Sequence, residues 1–97
     1  MINKENKIKQ SASLLKAIGH PIRVEIILCL SRNRNMTVTE LCNDLSIHQP
    51  ILSLHLAVLR KQNVIKVKKQ GKQSIYSISD ISVKQIISII YHTRSLN

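Results

Sequence analysis

The chain has 97 residues, of which 15 are Lys or Arg and only 5 are Asp or Glu, so its formal net charge is +10. Hydrophobic residues make up 43% of the sequence, too many for a disordered chain, and Tyr76 and Tyr91 are its only Phe, Trp or Tyr residues. So few carboxylates, with no P-loop, dinucleotide-binding glycine motif or ordered Ser, His and Asp, argue against an enzyme.

The length predicts one domain over residues 1–97, with an aliphatic core. A chain this short buries a modest share of its surface, so a second subunit would stabilise it. No apolar run approaches about 18 residues, and the segment MINKENKIKQ (1–10) lacks the apolar stretch of a signal peptide. We therefore expect a cytoplasmic protein without a membrane partner, in which Cys29 and Cys42 stay reduced.

The positive charge is concentrated in one interval, because no acidic residue occurs between Asp44 and Asp80. The cations of this interval are Arg60, Lys61, Lys66, Lys68, Lys69 and Lys72. A polyanionic partner is indicated, with nucleic acid first and an anionic membrane surface second. A merely solvated cationic surface is the alternative.

The first half of the chain is predicted to be helical. Apolar residues at helical spacing predict a helix over residues 5–18. The sequence Gly-His-Pro at 19–21 ends it, and Pro21 suits the first turn of a second helix, which runs to about Ser31. The polar segment SRNRN (31–35) is expected to be a loop.

A third and a fourth helix follow. Thr37 and Glu40 have the spacing of a capping box, which predicts a short helix after Thr37. Residues 46–48 turn the chain, and a further helix runs from Pro50 to about Gln62. Two helices joined by so tight a turn predict a helix-turn-helix.

The last third contains a predicted β-hairpin and a closing helix. Residues 64–69 and 74–79 are rich in β-branched residues and flank QGKQ, where Gly71 permits a positive φ. A helix over 82–94 follows, capped by Ser79 or Asp80. The element order is therefore ααααββα, a mostly α protein with a β-hairpin (α+β), typical of a winged helix-turn-helix.

The stretch HQPILSLHLAVLRK (48–61) has two different faces as a helix. Leu52, Leu56 and Leu59 fall on one inward stripe, and small or weakly polar residues lie opposite. Such an outer face suits a helix that enters the major groove of DNA, because Ser and Gln can bond base edges and apolar groups can contact thymine methyls. Cations near it would hold the phosphate backbone. The expected DNA-contacting residues are Thr39, His48, Gln49, Pro50, Ser53, Leu54, His55, Arg60, Lys61, Lys66, Lys68, Lys69 and Lys72.

Two of these interpretations have structural alternatives. Leu54 and Ala57 could simply be tolerated on a surface. His55 falls at the flank of the core stripe, where a boundary histidine with satisfied hydrogen bonds is the alternative to a base-reading one, and His48 could reach a phosphate or only fill the turn.

The closing helix has more apolar residues than one narrow stripe requires, which predicts a dimer interface that the first helix could join. The expected interface residues are Ile8, Leu15, Val83, Ile86, Ile87 and Ile90.

The sequence resembles the ArsR/SmtB family of bacterial winged-helix repressors over most of its length. The resemblance rests on LLKAIGHPIRVEIILCL (14–30), with its GHP-x-R, and on residues 37–80, with Q-P-x-x-S-x-H-L-x-x-L-R and G-x-x-x-x-Y. It implies a homodimer whose fourth helices lie in successive major grooves of an imperfect palindrome, with half-sites roughly 34 Å apart. It also implies repression that a metal ion or an oxidant relieves.

The metal ligands of the family are not expected in this chain. The positions of the family's C-x-C box correspond to Thr37 and Thr39, and hydroxyls do not make a soft-metal site. Cys42 is out of register and is interpreted as a small buried residue. The site on the closing helix corresponds to Asp80, Ser82, Thr93 and Leu96, where only the carboxylate remains. No metal and no cofactor are therefore expected.

Two sensing alternatives stay open. Cys29 resembles the second-helix cysteine of the oxidant-sensing branch, which pairs with a cysteine on the last helix, but this chain ends in HTRSLN. Cys29 could form a sulfenic acid alone or serve only as core packing. His20 and His92 could make an unfamiliar metal site. The inducer, if one exists, is unknown.

The sequence thus predicts a sequence-specific, homodimeric transcriptional regulator that binds double-stranded DNA. A basic architectural protein that coats DNA with little sequence preference is the alternative, and the ratio of specific to non-specific affinity distinguishes the two. A winged-helix module that docks protein partners is a third possibility.

Overall fold

A computed structural model describes residues 3–94, which form five helices and three strands. The elements are α1 (Lys4–Ile18), α2 (Pro21–Asn33), β1 (Met36–Thr37), α3 (Val38–Leu45), α4 (Gln49–Lys61), β2 (Ile65–Gln70), β3 (Gln73–Ile78) and α5 (Ile81–Thr93). The prediction of a mostly α winged helix-turn-helix is confirmed, with a short strand, β1, added between α2 and α3.

Side-chain and backbone caps separate α1 from α2. The N–H of Gly19 donates to the Lys16 carbonyl at 3.3 Å and closes α1. His20 then caps α2, because its Nδ1 accepts from the N–H of Ile22 at 3.1 Å, and Pro21 occupies the first turn.

Helix α2 extends into the polar segment that was expected to be a loop. The Ser31 hydroxyl donates to the Ile27 carbonyl at 2.6 Å, and Asn33 Nδ2 donates to the Cys29 carbonyl at 2.9 Å. These bonds run back along the helix and occupy polar groups that could otherwise favour a turn. Only residues 34 and 35 therefore connect α2 to β1.

The helix-turn-helix begins with the expected capping box. The Thr37 hydroxyl accepts from the N–H of Glu40 at 3.1 Å, and the Glu40 carboxylate accepts from the N–H of Thr37 at 2.8 Å. Ser46 ends α3 in the left-handed conformation, with φ 54°, and the N–H of Ile47 donates to the Cys42 carbonyl at 3.1 Å. Three residues after α3, the chain enters α4.

The three strands form one antiparallel sheet in the order β1-β3-β2. Tyr76 of β3 pairs with both Met36 of β1 and Val67 of β2. Met36 and Tyr76 are buried and Val67 is half-buried, so this face of the sheet packs on the helices. At the wing tip, Gly71 has φ 64°, which suits a two-residue hairpin turn with glycine first.

The core is aliphatic and centres on α2, which packs against all four other helices and β3. The predicted stripe of α4 is confirmed: Leu52, Leu56 and Leu59 are 0%, 2% and 0% exposed. Replacing one such leucine with alanine costs about 2–5 kcal/mol. Of the two predicted caps for α5, Asp80 is the one present, since its Oδ1 accepts from the N–H of Val83 at 3.2 Å. No helix within residues 3–94 is long and apolar enough to cross a membrane.

Candidate DNA-binding surface

The outer face of α4 is exposed and carries no carboxylate. Ser53 and Ala57 lie on this face, and Leu54 is 69% exposed. Arg60 and Lys61 are exposed in the last turn of the helix. The hydroxyl, the apolar groups and the terminal cations thus occupy one accessible surface, opposite the leucine stripe that anchors the helix.

A polar recess lies between α3 and the start of α4. Three predicted residues line it, Thr39, His48 and Gln49, and so do Asn43 and Ser46. Pro50 follows in the first turn of α4 and is exposed. Asn43 and Ser46 are further candidates that the sequence prediction did not include. Both are exposed polar residues flanking the tight turn, which is the signal that could have identified them.

His55 is held at the boundary between α4 and α2. Its Nδ1 accepts from Arg23 Nε at 3.2 Å, and its ring centroid lies 4.5 Å from that of His20. Arg23 also donates through Nη1 to the Ala17 carbonyl at 2.9 Å. Burial, with smaller effects of the His20 and Arg23 charges, lowers the pKa of His55. These contacts favour the boundary role of His55, in which it positions α4 against α2, over a role in reading bases.

The wing presents its lysines on two faces and at its tip. Lys66 pairs with Ser77, and Lys68 pairs with Ile75, so both lysines lie on the sheet face opposite the core. Lys69 lies on the opposite face of the sheet, because successive residues of a strand point to opposite sides, and Lys72 is in the turn. All four are exposed, which makes the hairpin basic along its whole length.

Glu40 and Asp80, two of the carboxylates that flank α4 and the wing in the sequence, are engaged at helix ends. Glu40 belongs to the capping box. Asp80 accepts from the Ser82 hydroxyl at 2.6 Å, and this bond, with the backbone N–H groups, lowers the pKa of Asp80 despite an opposing effect of burial. These carboxylates stabilise helix ends rather than pairing with the wing or α4 cations.

Cys29 has the surroundings of a packing residue. Its Sγ is buried, 3.3 Å from Met36 Sδ and 3.8 Å from an Asp44 carboxylate oxygen. Burial, followed by the Asp44 charge, raises the pKa of the Cys29 thiol, which disfavours the reactive thiolate. Cys42 is a half-buried free thiol that packs against the core.

Residues at the positions of the family's metal ligands make structural hydrogen bonds within this protomer. Thr37 and Asp80 are helix caps, and the Thr93 hydroxyl donates to the Ile90 carbonyl at 3.0 Å. Leu96 lies outside the described residues. Between residues 3 and 94, no three His, Cys, Asp or Glu side chains are grouped so that they could hold a metal ion.

An apolar groove of about 590 Å³ lies between α1, the start of α2 and α5. Leu15, Ile86 and Ile90 line it and are 57%, 41% and 48% exposed, and Ile8 on α1 is 58% exposed. One expected interface residue is corrected: Val83 is 0% exposed, because it points into the protomer's own core. Ile87 is 6% exposed but also lines the groove. Ile8 and Leu15 of α1, in contrast, are left more than half exposed.

Together, the tight turn between α3 and α4, the exposed face of α4 and the basic hairpin define a winged helix-turn-helix DNA-binding protein. Residues 20–67 match the model of the family described as "Bacterial regulatory protein, arsR family". The chain belongs to this family. The match spans α2, the helix-turn-helix and the first three residues of β2, so it includes the face of α4 and ends before Lys68, Lys69 and Lys72 of the wing.

Similar proteins and solved structures agree with this assignment. An HTH-type transcriptional regulator of Methanocaldococcus jannaschii is 36% identical over 84 residues, covering 87% of this chain and 94% of the relative. The structure of HlyU from Vibrio cholerae superposes with a TM-score of 0.84 at 29% identity, covering 93% of this chain and 97% of HlyU. The transcriptional repressor PagR of Bacillus anthracis superposes with a TM-score of 0.82 at 31% identity, covering 90% and 99%.

Proposed function

We propose that this protein is a homodimeric transcriptional repressor that reads an imperfect palindrome with α4 and grips the flanking backbone with its wing. The observation that carries the proposal is the outer face of α4, where Ser53 and Leu54 are accessible beside Arg60 and Lys61 and no acidic side chain intervenes. Ser53 and Gln49 would bond base edges, and Leu54 would contact a thymine methyl.

The polar recess at the turn and the wing lysines would fix the register of the protein on the duplex. Thr39, His48, Asn43 and Ser46 would contact phosphates next to the bases that α4 reads. The wing lysines, Lys66, Lys68, Lys69 and Lys72, would hold the backbone beyond them. These contacts supply affinity and salt dependence, and the face of α4 supplies sequence preference.

The proposed dimer covers the apolar groove with a second copy of the chain. Leu15, Ile86 and Ile90 are large apolar residues exposed together, as expected of a surface that is covered in the working protein. A twofold axis through this interface would place the two α4 helices in successive major grooves, about one helical turn apart. Residues 1–97 would then act as one winged helix-turn-helix domain per protomer.

Repression is proposed because several relatives carry that description, among them PagR and the biofilm growth-associated repressor of Xylella fastidiosa. HlyU of Vibrio cholerae is described as an activator, so the position of the operator relative to the promoter would decide the sign of regulation. The family consists of transcriptional regulators, and the architectural alternative is not supported by these relatives.

Selection of bound duplexes from a random DNA pool tests the proposal. The recovered sequence and a scrambled control are then titrated by fluorescence anisotropy at about 150 mM salt. A palindrome bound on the order of a thousand-fold above the control is expected. Equal affinity for both duplexes would refute sequence-specific regulation.

The contribution of the wing is tested by the double variant Lys68→Ala/Lys69→Ala. Each lost phosphate contact reduces the slope of log affinity against log salt by about 0.9, and the dimer loses two contacts from each of its two wings, so the slope is expected to fall by about 3.6. Lys4→Ala/Lys9→Ala on α1 removes the same charge from exposed positions and is the matched control. Equal slopes for both double variants would exclude a local wing contact.

A further inference from the structure

A second basic groove lies between the end of α2, the outer face of the sheet and the first turn of α5. Arg34, Lys66 and Lys84 line it, together with the polar side chains of Asn35 and Ser77. None of its lining residues is acidic. Arg34 and Lys84 belong neither to α4 nor to the wing.

The acidic residue closest to Lys84 in the sequence, Asp80, is engaged as a helix cap. Asp80 lies one helical turn before Lys84, but its Oδ1 accepts from the Ser82 hydroxyl and from the N–H of Val83. Asp80 keeps its negative charge at the end of α5, but three cations against this one carboxylate leave the groove with a positive net charge.

The groove is continuous with the wing. Lys66, Asn35 and Ser77 also line a recess along the outer sheet face that includes Lys68. Outward residues of a strand are two positions apart, so Lys66 and Lys68 are separated by about 7 Å and the hairpin tip lies roughly 20 Å from Lys66. A basic track therefore runs from the wing tip to the start of α5.

The backbone at Arg34 is strained. This residue has φ 62° and ψ −66°, and the N–H of Asn35 donates across it to the Asn33 carbonyl at 2.7 Å, which is the rare γ-turn with positive φ. Glycine would adopt this conformation freely, yet the position holds an arginine that lines the groove. Strain retained at a charged, accessible side chain indicates a functional role.

We propose that this second basic groove binds the phosphate backbone of DNA that flanks the site read by α4. The guanidinium of Arg34 can pair with a phosphate through two parallel hydrogen bonds, and Lys66 and Lys84 add point charges beside it. The duplex would follow the outer sheet face from the wing tip and bend toward the protein. This inference rests on the proposed function, because α4 and the wing must first place the duplex.

The test compares two lengths of the selected palindromic duplex. The short form ends at the recovered consensus, and the long form has about 10 further base pairs of arbitrary sequence on each side. The wild-type protein is expected to bind the long form about ten-fold more tightly, with a salt slope steeper by about 4 to 5, because each protomer of the dimer adds two or three phosphate contacts. Sedimentation confirms that both complexes contain the same number of protomers.

The variant Arg34→Ala/Lys84→Ala is expected to lose the gain on the long duplex while binding the short duplex as the wild type does. The charge-retaining control Arg34→Lys/Lys84→Arg should keep most of the gain. A double alanine variant with an undiminished gain overturns the inference, as does an equal loss in the control variant.

A separate variant, Arg34→Gly, distinguishes charge from strain. This substitution removes the guanidinium and relieves the backbone strain at residue 34. The variant is therefore expected to unfold at a temperature no lower than the wild type and to lose part of the higher affinity for the long duplex. Retention of the full gain would exclude Arg34 from the contact. Failure of the wild type to distinguish the short palindrome from its scrambled control would refute the proposed function itself, which is a different result from any of these.

Discussion

Replacing Ile90 with glutamate should convert the protein to monomers. Ile90 lines the apolar groove and keeps 48% of its surface exposed in the protomer. Full burial of an isoleucine side chain contributes about 1.5–3 kcal/mol, so covering the remaining half contributes roughly 0.7–1.5 kcal/mol. A twofold interface uses the residue twice, giving about 1.5–3 kcal/mol, or a 10- to 100-fold effect on the dimer dissociation constant.

Glutamate should exceed this range, because it also places two carboxylates in an apolar contact. We therefore expect the dissociation constant of the Ile90→Glu dimer to rise at least 100-fold in sedimentation equilibrium. Ile51→Glu on α4 is the matched control, since Ile51 is 47% exposed and lies outside the groove. If Ile90→Glu dimerises like the wild type, or no more weakly than Ile51→Glu, the interface lies elsewhere.

Three further predictions concern the surface and its support. Ser53→Arg should weaken binding to the selected palindrome at least 100-fold by blocking groove entry while leaving the thermal midpoint unchanged; tight binding by this variant would exclude the proposed orientation of α4. Thr37→Ala should lower the free energy of unfolding by about 1 kcal/mol, because it removes the capping box of α3, and an unchanged urea midpoint would contradict that role. His55 has a folded pKa below its ordinary 6.5, so the unfolded chain binds more protons and stability falls as pH drops through about 6.5. His55→Gln should lessen this loss between pH 7.5 and 5.5 in urea unfolding, and an identical pH dependence would refute it.

Local sequence patterns were sufficient to predict most of the helices and the β-hairpin. The leucine stripe of α4, the capping box at Thr37 and the glycine turn of the wing depend on residues close together in the chain. Each of these signals fixes a helix boundary, a buried face or a turn by itself. The sequence therefore predicted which helix would present an open polar face and which hairpin would be basic.

The features that sequence did not predict depend on contacts between distant residues. Strand β1 has two residues and exists only through pairing with β3, some forty positions later. The hydrogen bond from Arg23 to His55 joins residues 32 positions apart, so the spacing of residues on α4 alone could not show that His55 contacts α2. The periodicity of α5 also did not separate Val83, which faces the core, from its exposed neighbours.

The spacing of the two half-sites tests most directly whether a dimer reads DNA with α4. Five base pairs inserted at the centre of the selected palindrome rotate one half-site to the opposite side of the duplex, about half a helical turn away. Affinity measured by anisotropy at about 150 mM salt should then fall to that of the scrambled control. Unchanged affinity for the expanded palindrome would show that the two α4 helices are not held together in successive major grooves, and would contradict the proposed mode of recognition.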